Sequence, residues 1–518
     1  MPSRIVGWGR LRRYQREDAV ALASRAKVGV WMPPGVGKTS IIWAALALAH
    51  VDWPVLIVTK SLGRRVWPRD ARWVLGSDYV PGIVDGFSSR HGDNWHDEGV
   101  HADDDWDAAS GRPQVVTYSS VEAALARHMG VVVSYEVLER SDLWDVPWGA
   151  VVFDEAHAVK GGYLPARKQV RRSDGTFGWS GQSARYELCK DMAMAVRQRG
   201  GVVWQLTATP MPDRRRDLFG QLNIALPALF PNSLDFLKKF CNFHMKTIFI
   251  GAEPREVPDS TGSSNTAELS EALSRYFLVH SREELADQLP KMQLVVKTVP
   301  PDQKSVRNLG GDVETAIARA AAIKLPAGLE IAAEYLTTNG KVVLTVTRRE
   351  LARKLDAEVK SEKFLKKLPR KVREKLVFEC VTGEVPALER ANRLNEFNEL
   401  TGRPGILCAT SDSILESIDL NKVHAAIILG LPYSPGQVAQ LLGRFSRLGG
   451  LNVVINFVVA EGTIDDRIKE LLLDKLVDAV DLGADTQGGD VIAEALKTVR
   501  DEAAIMSGLR GWLNSGGA

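Results

Sequence analysis

The sequence predicts an α/β protein with two parallel-sheet units, and three observations lead to this prediction. Short apolar runs alternate with longer helix-like segments, which is the pattern of parallel strands joined by crossover helices. The alternation occurs twice, once before residue 210 and again after residue 340. A glycine-rich loop follows the first apolar run and leads into an Ala/Leu-rich segment, residues 41–50, that is predicted to be a helix.

The predicted strands fall into two series separated by a long intervening segment. Each run is short, apolar and rich in β-branched residues, as expected of strands buried on both faces of a sheet. The first series comprises residues 28–32, 55–58, 114–120, 150–153 and 202–206, and the second comprises 340–345, 377–381, 406–410, 425–429 and 453–459. Two such series predict two separate sheets.

Length and composition set the limits within which the motifs are interpreted. A chain of 518 residues with 45% apolar and 25% charged residues is expected to form several globular domains. A net charge of +2 excludes a globally basic nucleic-acid binder but not local basic surfaces. No long apolar run or signal segment is present, so we expect a cytoplasmic protein with no membrane partner. Its four cysteines are far apart, which argues against a zinc site or a disulfide framework.

The glycine-rich loop is typical of a phosphate cradle. Gly35 and Gly37 allow the backbone N–H groups to point inward, and the following helix adds the positive end of its dipole. Lys38 is placed to contact the outer phosphates and the Thr39 hydroxyl to ligate Mg²⁺. The candidate nucleotide-binding residues are Gln15, Pro34, Gly35, Val36, Gly37, Lys38, Thr39 and Ser40. Met32 replaces the first glycine of the usual pattern, so a glycine-rich turn with a chance Lys-Thr is the alternative.

The side chain of Gln15 belongs to this candidate site because it precedes the loop by about one helix. A carboxamide has both a donor and an acceptor and can pair with both edges of adenine.

Two carboxylates follow the predicted strand at 150–153. Asp154 fits the shell of a Mg²⁺ ion, and Glu155 fits a group that orients and deprotonates an attacking water. His157 is then placed to couple this site to a neighbouring domain. Thr207 and Thr209 follow the next strand, where their hydroxyls can bridge the carboxylate loop and a bound strand of nucleic acid.

Candidate nucleic-acid contacts come from hydroxyls and cations at other strand ends. They are Lys60, Ser61, Arg64 and Ser119, and Thr59, Arg65 and Trp67 lie in the same stretch as the first three. Residues 348–375 are rich in Lys and Arg and form a candidate phosphate-contacting surface, with a solvated amphipathic helix as the equal alternative.

Two stretches depart from the strand and helix alternation. Residues 81–112 contain His91, His96 and His101 among carboxylates, which suggests a metal site, but their irregular spacing favours a surface insertion. Residues 250–275 are polar with Gly, Ser and Thr, and are predicted to be a flexible excursion.

A family resemblance follows from the order of these motifs. The phosphate loop, Asp154-Glu155-Ala156-His157 (a DEAH motif) and Thr207-Ala208-Thr209-Pro210 resemble the first RecA-like lobe of superfamily 2 helicases and translocases. The segments 217–230 and 236–240 resemble the helical insertion of the Swi/Snf-like branch, and 279–291 resembles its entry into a second lobe.

The second lobe contains a matching signature at 440–447. A spacing of three predicts that Arg444 and Arg447 lie on one side of a helical turn and face a γ-phosphate, whereas solvated helix arginines are the alternative. The resemblance implies that Arg447 is the arginine finger, with Arg444 beside it, and that Gln440 and Asp419 couple the ATP site to DNA. The glycines that usually precede Asp419 are replaced by Leu415 and Ser417.

The resemblance implies an ATP-dependent motor on duplex or branched DNA, with ATP and Mg²⁺ as cofactors and Lys38, Glu155, Arg444 and Arg447 as catalytic residues. We expect a monomer with RecA-like lobe 1 at 1–213, a helical insertion and linker at 214–300, lobe 2 at 301–475 and a short helical C-terminal tail at 476–518. A strand-separating helicase acting on forked DNA is one alternative. A non-hydrolysing, ATP-clamped DNA-binding scaffold is an alternative of a different class.

Overall fold

The computed structural model describes residues 5–84, 100–102, 116–162, 169–171, 177–179, 182–250, 253–300, 313–338, 340–415, 420–432 and 434–481. The chain divides into two compact units, Met1–Met32 with Gly37–Val279, and Pro33–Val36 with His280–Ala518. Each unit is built around its own large sheet.

The strands of the first unit are β1 (Gly29–Trp31), β2 (Val55–Thr59), β3 (Gly82–Val84), β4 (Val100–Ala102), β5 (Val116–Tyr118), β6 (Gly130–Ser134), β7 (Ala150–Asp154), β8 (Gln169–Arg171), β9 (Phe177–Trp179), β10 (Val202–Thr207), β11 (His244–Ile250), β12 (Glu253–Asp259) and β13 (Phe277–Val279). Among the described residues, nine of these form one sheet in the order β13-β1-β10-β7-β2-β6-β3-β5-β4. Neighbouring strands are parallel except β4, which pairs antiparallel with β5. The pairs β8/β9 and β11/β12 are separate antiparallel hairpins.

The helices of the first unit are α1 (Arg13–Ala23), α2 (Lys38–Leu48), α3 (Val66–Leu75), α4 (Val121–Leu125), α5 (Gln182–Gln198), α6 (Leu218–Ala225), α7 (Ser233–Phe240) and α8 (Thr266–Tyr276). Helix α2 is apolar along most of its length and is buried from Ser40 to Ala47, as expected of a helix that packs into the interior. Helices α6 and α7 and the segment between them form an aromatic cluster of Phe219 from α6, Phe230 from the connection, and Phe236 and Phe240 from α7.

The second unit contains β14 (Met292–Val299), β15 (Lys341–Val346), β16 (Val377–Val381), β17 (Gly405–Thr410), β18 (Ala425–Ile428) and β19 (Val453–Ala460). In the described part of the chain these six strands form one sheet in the order β14-β19-β18-β15-β17-β16, and every neighbouring pair is parallel.

The helices of the second unit are α9 (Val313–Thr337), α10 (Arg349–Val359), α11 (Glu362–Leu365), α12 (Arg370–Arg373), α13 (Ala387–Glu399), α14 (Ser411–Leu415), α15 (Pro435–Phe445) and α16 (Ile464–Asp481). Alternate strand residues enter two different apolar cores. Val343 packs with residues of α13, α15 and α16, whereas Val342 and Leu344 pack with residues of α9 and α10. Both faces of the sheet are therefore covered, which explains the continuous apolar runs in the sequence.

The predicted α/β class with two parallel sheets is confirmed, but five strands of these sheets were not predicted, namely β3, β4, β6, β13 and β14. β6 lies between β2 and β3, β13 lies at one edge of the first sheet, and β14 lies at one edge of the second. The segment 214–300 thus contributes a strand to each sheet in addition to its helices. The C-terminal part of the predicted helical tail, from residue 482, lies outside the described residues.

Two local predictions were wrong. The flexible excursion expected at 250–275 instead contains strand β12 and helix α8, because Leu269 and Leu273 of α8 are buried against the first unit. Residues 81–112 were expected to be a surface insertion outside the strand pattern, yet within the described part of this segment β3 is a fully buried strand and β4 pairs with β5. His91 and His96 lie outside the described residues, and His101 is in β4.

Among the described residues, no helix is both long enough and apolar enough to cross a membrane.

A buried ion pair joins α9 to α16 in the second unit. Lys324 Nζ lies 2.7 Å from Asp465 Oδ2, and both side chains are almost completely buried. Asp465 Oδ2 also accepts a hydrogen bond from the Ala460 backbone N–H at 3.0 Å. Burial lowers the pKa of Lys324, and the charge of Asp465 opposes this change.

We predict that Lys324→Met lowers the free energy of unfolding of the second unit by roughly 3–5 kcal/mol, because it leaves the Asp465 carboxylate buried without its cation. Urea denaturation followed by circular dichroism measures the change. The matched control is Lys366→Met, since Lys366 pairs with Glu362 on the surface and its loss is expected to cost no more than about 1 kcal/mol. Equal effects of the two substitutions would contradict the prediction.

Candidate nucleotide site

The glycine-rich loop leads directly into the first turn of α2. Gly35 and Gly37 have positive φ values of 75° and 82°, a conformation that costs a glycine little. Gly37 is the N-cap of α2, so the first-turn N–H groups, which have no acceptor within the helix, lie at the loop. Lys38 begins the helix, and its Nζ donates a hydrogen bond to the Met32 carbonyl oxygen at 3.0 Å. The lysine is therefore held over the loop.

The Gln15 carboxamide lies against the same loop. A Cβ atom at Gly37 would lie 2.3 Å from Gln15 Nε2, so the Gln15 amide lies directly against the backbone of Gly37 and would have to move if this residue had a side chain. Gln15 Oε1 accepts the Arg12 backbone N–H at 2.9 Å, which fixes the side chain at the start of α1. The structure thus places Gln15 beside the loop, and its role in recognising adenine stays a prediction.

The two hydroxyl residues that follow Lys38 have different surroundings. Thr39 is half-buried in the first turn of α2. Ser40 is buried, and its Oγ lies 3.4 Å from Asp70 Oδ2 of α3. Ser40 is therefore occupied in joining two helices, and Thr39 is better placed than Ser40 to meet a ligand.

The Asp154 carboxylate is held by three donors at the end of β7. Oδ2 accepts the Thr59 hydroxyl at 2.9 Å and Trp67 Nε1–H at 3.0 Å, while Oδ1 accepts the Glu155 backbone N–H at 2.9 Å. Burial and the charge of Glu155 raise the pKa of Asp154 to about 6, although the Trp67 and Thr59 hydrogen bonds and the charge of Lys38 oppose this rise. The Asp154 carboxylate is thus fixed in orientation, and the three groups that donate hydrogen bonds to it carry no positive charge.

The Glu155 carboxylate has a different environment. Its backbone is left-handed, with φ of 51°. Its Oε2 lies 3.2 Å from Nδ1 of His157 and 3.5 Å from the Thr207 hydroxyl. Burial raises the pKa of Glu155, but the hydrogen bond and charge of His157, together with Lys60 and Lys38, outweigh it and lower the pKa below its usual value. Glu155 is therefore an anion at neutral pH.

His157 lies at the centre of a polar cluster. Its Nδ1 is 2.9 Å from Thr207 Oγ1 and 3.2 Å from Thr209 Oγ1, and its Nε2 is 3.1 Å from the Lys60 ammonium. Burial, with a contribution from Lys60, lowers the pKa of His157, and Glu155 opposes this change. The imidazole is therefore neutral at pH 7.

The strand order brings these predicted residues together. β1, β10, β7 and β2 are consecutive neighbours, and in a parallel sheet their carboxyl ends lie at one edge. This edge of the sheet therefore carries the phosphate loop, Thr207 and Thr209, the carboxylates of Asp154 and Glu155, and Thr59. The local electrostatics are consistent with this, since the Lys38 charge acts on both Asp154 and Glu155.

Sequence reasoning did not assign three residues that hold Asp154. Thr59 and Trp67 were grouped with the nucleic-acid contacts, yet both are buried and bond its carboxylate. Tyr135 donates its hydroxyl to the Asp154 carbonyl oxygen at 2.8 Å. Tyr135 follows β6, so recognising β6 as a strand would have placed it at this edge.

The predicted arginine pair lies in the second unit at the end of α15. The expectation that both arginines lie on one side of a helical turn was wrong, because α15 ends at Phe445 and Ser446 is extended. Arg444, in the last turn, donates to the Leu415 carbonyl oxygen, and Arg447 Nε donates to the Gly443 carbonyl oxygen at 3.0 Å. Gln440 lies within α15, and Asp419 lies outside the described residues.

The predicted DNA contacts have protein partners. Ser61 Oγ lies 3.4 Å from Glu136 Oε2, Arg64 Nε donates to the Ser61 carbonyl oxygen at 2.9 Å, and the Ser119 carbonyl oxygen accepts Arg140 Nη2 at 2.8 Å. Lys60 is exposed apart from its contact with His157.

Acidic residues offset much of the charge of the 348–375 segment. Five of its cations form ion pairs with carboxylates, namely Arg349 and Arg353 with Glu384, Lys360 with Asp356, Lys366 with Glu362, and Arg370 with Glu374. Helix α10 buries Ala352, Leu355 and Val359. The structure therefore has the features of the amphipathic-helix alternative, and phosphate contact by this segment stays a prediction.

Hard oxygen ligands suit Mg²⁺, and it is commonly bound by one or two protein groups plus substrate phosphates. Asp154 and Thr39 supply such oxygens. Burial and the charge of Glu155 raise the pKa of Asp154, and a bound cation would oppose this rise. Within the described part of the chain, no group of three or more His, Cys, Asp and Glu residues is placed to hold a metal. The residues present therefore fit a Mg²⁺ ion completed by phosphate oxygens.

Comparisons with known proteins were made for both sequence and fold. A family model described as the helicase conserved C-terminal domain matches residues 328–449. The DNA annealing helicase and endonuclease ZRANB3 of Mus musculus is 24% identical over 301 residues, covering 52% of this chain and 26% of that protein. The SWI/SNF-related matrix-associated actin-dependent regulator of chromatin subfamily A-like protein 1 of Drosophila melanogaster is 22% identical over 493 residues, covering 89% of this chain and 54% of that protein. The chain thus spans about half or less of the length of these relatives.

Two solved structures share the fold. The ATP-dependent Type ISP restriction-modification enzyme LlaBIII bound to DNA aligns with a TM-score of 0.50 and 16% identity, over 92% of this chain and 29% of that chain. The DUF1998 helicase MrfA bound to DNA aligns with a TM-score of 0.50 and 12% identity, over 89% of this chain and 51% of that chain.

Residues 328–449 therefore match a helicase C-terminal domain, and the chain is similar in sequence to a DNA annealing helicase and to a SWI/SNF-related protein. The two solved structures show that it shares the fold of DNA-bound ATP-dependent and helicase proteins.

We predict that Thr59→Val destabilises the first unit more at pH 8 than at pH 5. The substitution removes a donor to Asp154, whose pKa is about 6, so the carboxylate is charged at pH 8 and largely protonated at pH 5. A hydrogen bond to a charged group is worth roughly 1.5–3 kcal/mol and a neutral one about 1 kcal/mol, so the loss is greater above the pKa. Urea denaturation at both pH values measures it.

The matched control is Thr345→Val in β15. Within the described residues the Thr345 hydroxyl is buried with no hydrogen-bond partner, so its removal is expected to be neutral or stabilising at both pH values. A Thr59→Val effect that does not change with pH would show that the Thr59 hydroxyl does not stabilise the charged form of Asp154.

Proposed function

We propose that this chain is an ATP-dependent motor that moves along double-stranded DNA. The observation that carries the proposal is the convergence of Lys38, Asp154 and Glu155 at one strand edge, with two carboxyls whose pKa values are shifted in opposite directions. Such a separation suits one carboxylate for a metal and the other for proton transfer. The relatives named for DNA annealing and for chromatin regulation support DNA as the substrate.

The loop and α2 bind the nucleotide in this proposal. Backbone N–H groups at Gly35 to Lys38 point at the phosphates, Lys38 neutralises the outer ones, and Gln15 pairs with the base. Thr39 and Asp154 would hold Mg²⁺, which neutralises the charge that develops on the phosphates during transfer. The hydrogen bonds from Thr59 and Trp67 keep the Asp154 carboxylate facing this position.

Glu155 orients the attacking water and accepts its proton. The water oxygen forms a bond to the γ-phosphorus while the bond between that phosphorus and the bridging oxygen of ADP breaks, so that the products are ADP and phosphate. The depressed pKa of Glu155 keeps it ready to accept the hydrogen bond of the water.

The second lobe completes the reaction in this proposal. Arg444 and Arg447 supply positive charge to the γ-phosphate when the lobes close, and Gln440 and Asp419 couple closure to DNA. Repeated closing and opening moves the lobes along one strand. This assignment rests on the family resemblance of residues 440–447.

DNA is held mainly through its phosphates by Lys60, Ser61, Arg64, Ser119 and the 348–375 segment. Such contacts are largely independent of sequence and weaken steeply with salt. We also propose an intracellular monomer with domain boundaries near residues 213, 300 and 475.

The first test of this function is a pair of substitutions at the nucleotide site. We predict that Lys38→Ala abolishes both ATP binding and hydrolysis, because the phosphates lose their point charge. Glu155→Gln should abolish hydrolysis but leave ATP binding, because glutamine keeps the shape but cannot accept the proton. Phosphate release and binding of a fluorescent ATP analogue are measured for each protein. Near wild-type turnover in both would overturn the site assignment, and no turnover in the wild type with duplex DNA would favour a non-hydrolysing scaffold.

The second test distinguishes translocation from strand separation. We predict ATP-dependent displacement of a third strand from a triplex on intact duplex DNA, with no unwinding of a forked duplex. The name of ZRANB3 includes helicase activity, so the forked substrate is the specific alternative. ATPase rates with single-stranded, duplex and branched DNA, each at low and high salt, complete the measurement. Efficient unwinding of the fork without triplex displacement would replace the translocase proposal by the helicase one.

A further inference from the structure

Lys60 links the protein surface to the interior of the nucleotide site. It follows the last residue of β2 and is exposed, yet its ammonium lies 3.1 Å from Nε2 of His157, which is only 7% exposed. From the sequence, Lys60 was predicted only to contact DNA. Its contact with His157 of the DEAH motif indicates a second role inside the nucleotide site.

The chemistry of this contact determines which imidazole nitrogen carries the proton. An ammonium group has only hydrogens to donate, so His157 Nε2 must accept and cannot itself be protonated. In the neutral ring the proton is therefore on Nδ1. This nitrogen lies within hydrogen-bonding distance of Glu155 Oε2 and of the Thr207 and Thr209 hydroxyls. Lys60 thereby fixes the orientation and tautomer of the group that holds Glu155.

Contact with DNA would compete for the same ammonium. A phosphate oxygen forms a charge-assisted hydrogen bond that is stronger than one to a neutral imidazole. Once the ammonium moves to a phosphate, Nε2 loses its donor and the ring is free to change tautomer or rotate. Glu155 Oε2 then loses the Nδ1–H donor that fixes its orientation, and the carboxylate can turn towards the water.

We propose that Lys60 is a positioning residue that restrains Glu155 through His157 and releases it when a DNA phosphate takes its ammonium. The inference rests on the proposed function and deepens it by naming the link through which DNA stimulates hydrolysis. Lys60 touches neither the nucleotide nor the water, and its effect passes through the imidazole.

The first experiment examines the tautomer without nucleotide or DNA, so it does not depend on activity. Protein labelled with ¹⁵N-histidine is compared with Lys60→Met, Lys60→Arg and Lys239→Met, and His157→Gln assigns the signals. We expect a protonated Nδ1 and an unprotonated Nε2 in the wild type, and loss of this preference in Lys60→Met. Lys60→Arg should retain it because a guanidinium also only donates. Lys239→Met, which removes an exposed lysine paired with Glu268, should match the wild type.

The second experiment measures ATP turnover with and without duplex DNA at saturation. We expect Lys60→Met to raise DNA-free turnover about tenfold or more, because the hydrogen bond that is released has a charged partner, and to reduce the fold stimulation by DNA correspondingly. Lys60→Arg should restore the stimulation. A residue that only contacts phosphate would instead change the half-saturating DNA concentration and leave the stimulation at saturation intact, as expected for Arg64→Met.

The outcomes separate this inference from the proposed function. A wild type without DNA-stimulated turnover refutes the motor, whereas the tautomer still reports on the Lys60 contact. A protonated Nε2 in the wild type, or an unchanged tautomer in Lys60→Met, overturns the positioning role. Full fold stimulation of Lys60→Met at saturating DNA overturns the link to DNA, whatever its tautomer.

Discussion

Two adjacent half-buried carboxylates, Asp154 and Glu155, set the requirements that the rest of the first lobe satisfies. Neighbouring like charges in a region of low dielectric constant raise each other's pKa unless other groups intervene. The structure gives the two residues different partners. Asp154 receives hydrogen bonds from neutral donors and keeps a raised pKa of about 6, whereas Glu155 lies near His157, Lys60 and Lys38 and has a lowered pKa. One motif therefore supplies two groups of distinct chemistry.

The partners of Asp154 also connect it to the phosphate loop. Trp67 donates its indole N–H to Asp154, and its backbone carbonyl accepts the indole N–H of Trp43, in α2, at 3.1 Å. The two rings meet edge to face with centroids 5.6 Å apart, and both are fully buried. A displacement of α2 would therefore disturb the Asp154 carboxylate. This tryptophan pair thus helps to keep the phosphate loop and the Asp154 carboxylate in fixed relative positions.

The second lobe fixes its arginines by backbone contacts. The Arg444 guanidinium and the Arg447 Nε both donate to backbone carbonyls, and intervening Ser446 accepts a hydrogen bond from Arg282. Residues 444–447 thus have a defined conformation within this lobe, although the α15 helix has already ended. The buried pair of Lys324 and Asp465 fixes the helices α9 and α16 on the same sheet.

The sequence by itself determined the fold class, the main strands and the motif residues of the nucleotide site, because these follow from local patterns. Apolar runs identify strands buried on both faces, and the turn from β1 into α2 needs glycine at Gly35 and Gly37 for its backbone conformation. Short strands such as β13 were not predicted because they are stabilised by pairing with a strand that is remote in sequence, which for β13 is β1. Polar residues at 250–275 concealed the buried leucines of α8.

Only the tertiary structure decided how the side chains share the site. Thr59, Trp67 and Tyr135 are remote from Asp154 in sequence. The strand order β7-β2-β6 brings Thr59 and Tyr135 to it, and helix α3, which follows β2, brings Trp67. The contact between Lys60 and His157 likewise depends on the adjacency of β2 and β7. Hydrogen-bond partners and pKa shifts arise from distances between remote segments, and a sequence pattern records composition and spacing rather than those distances.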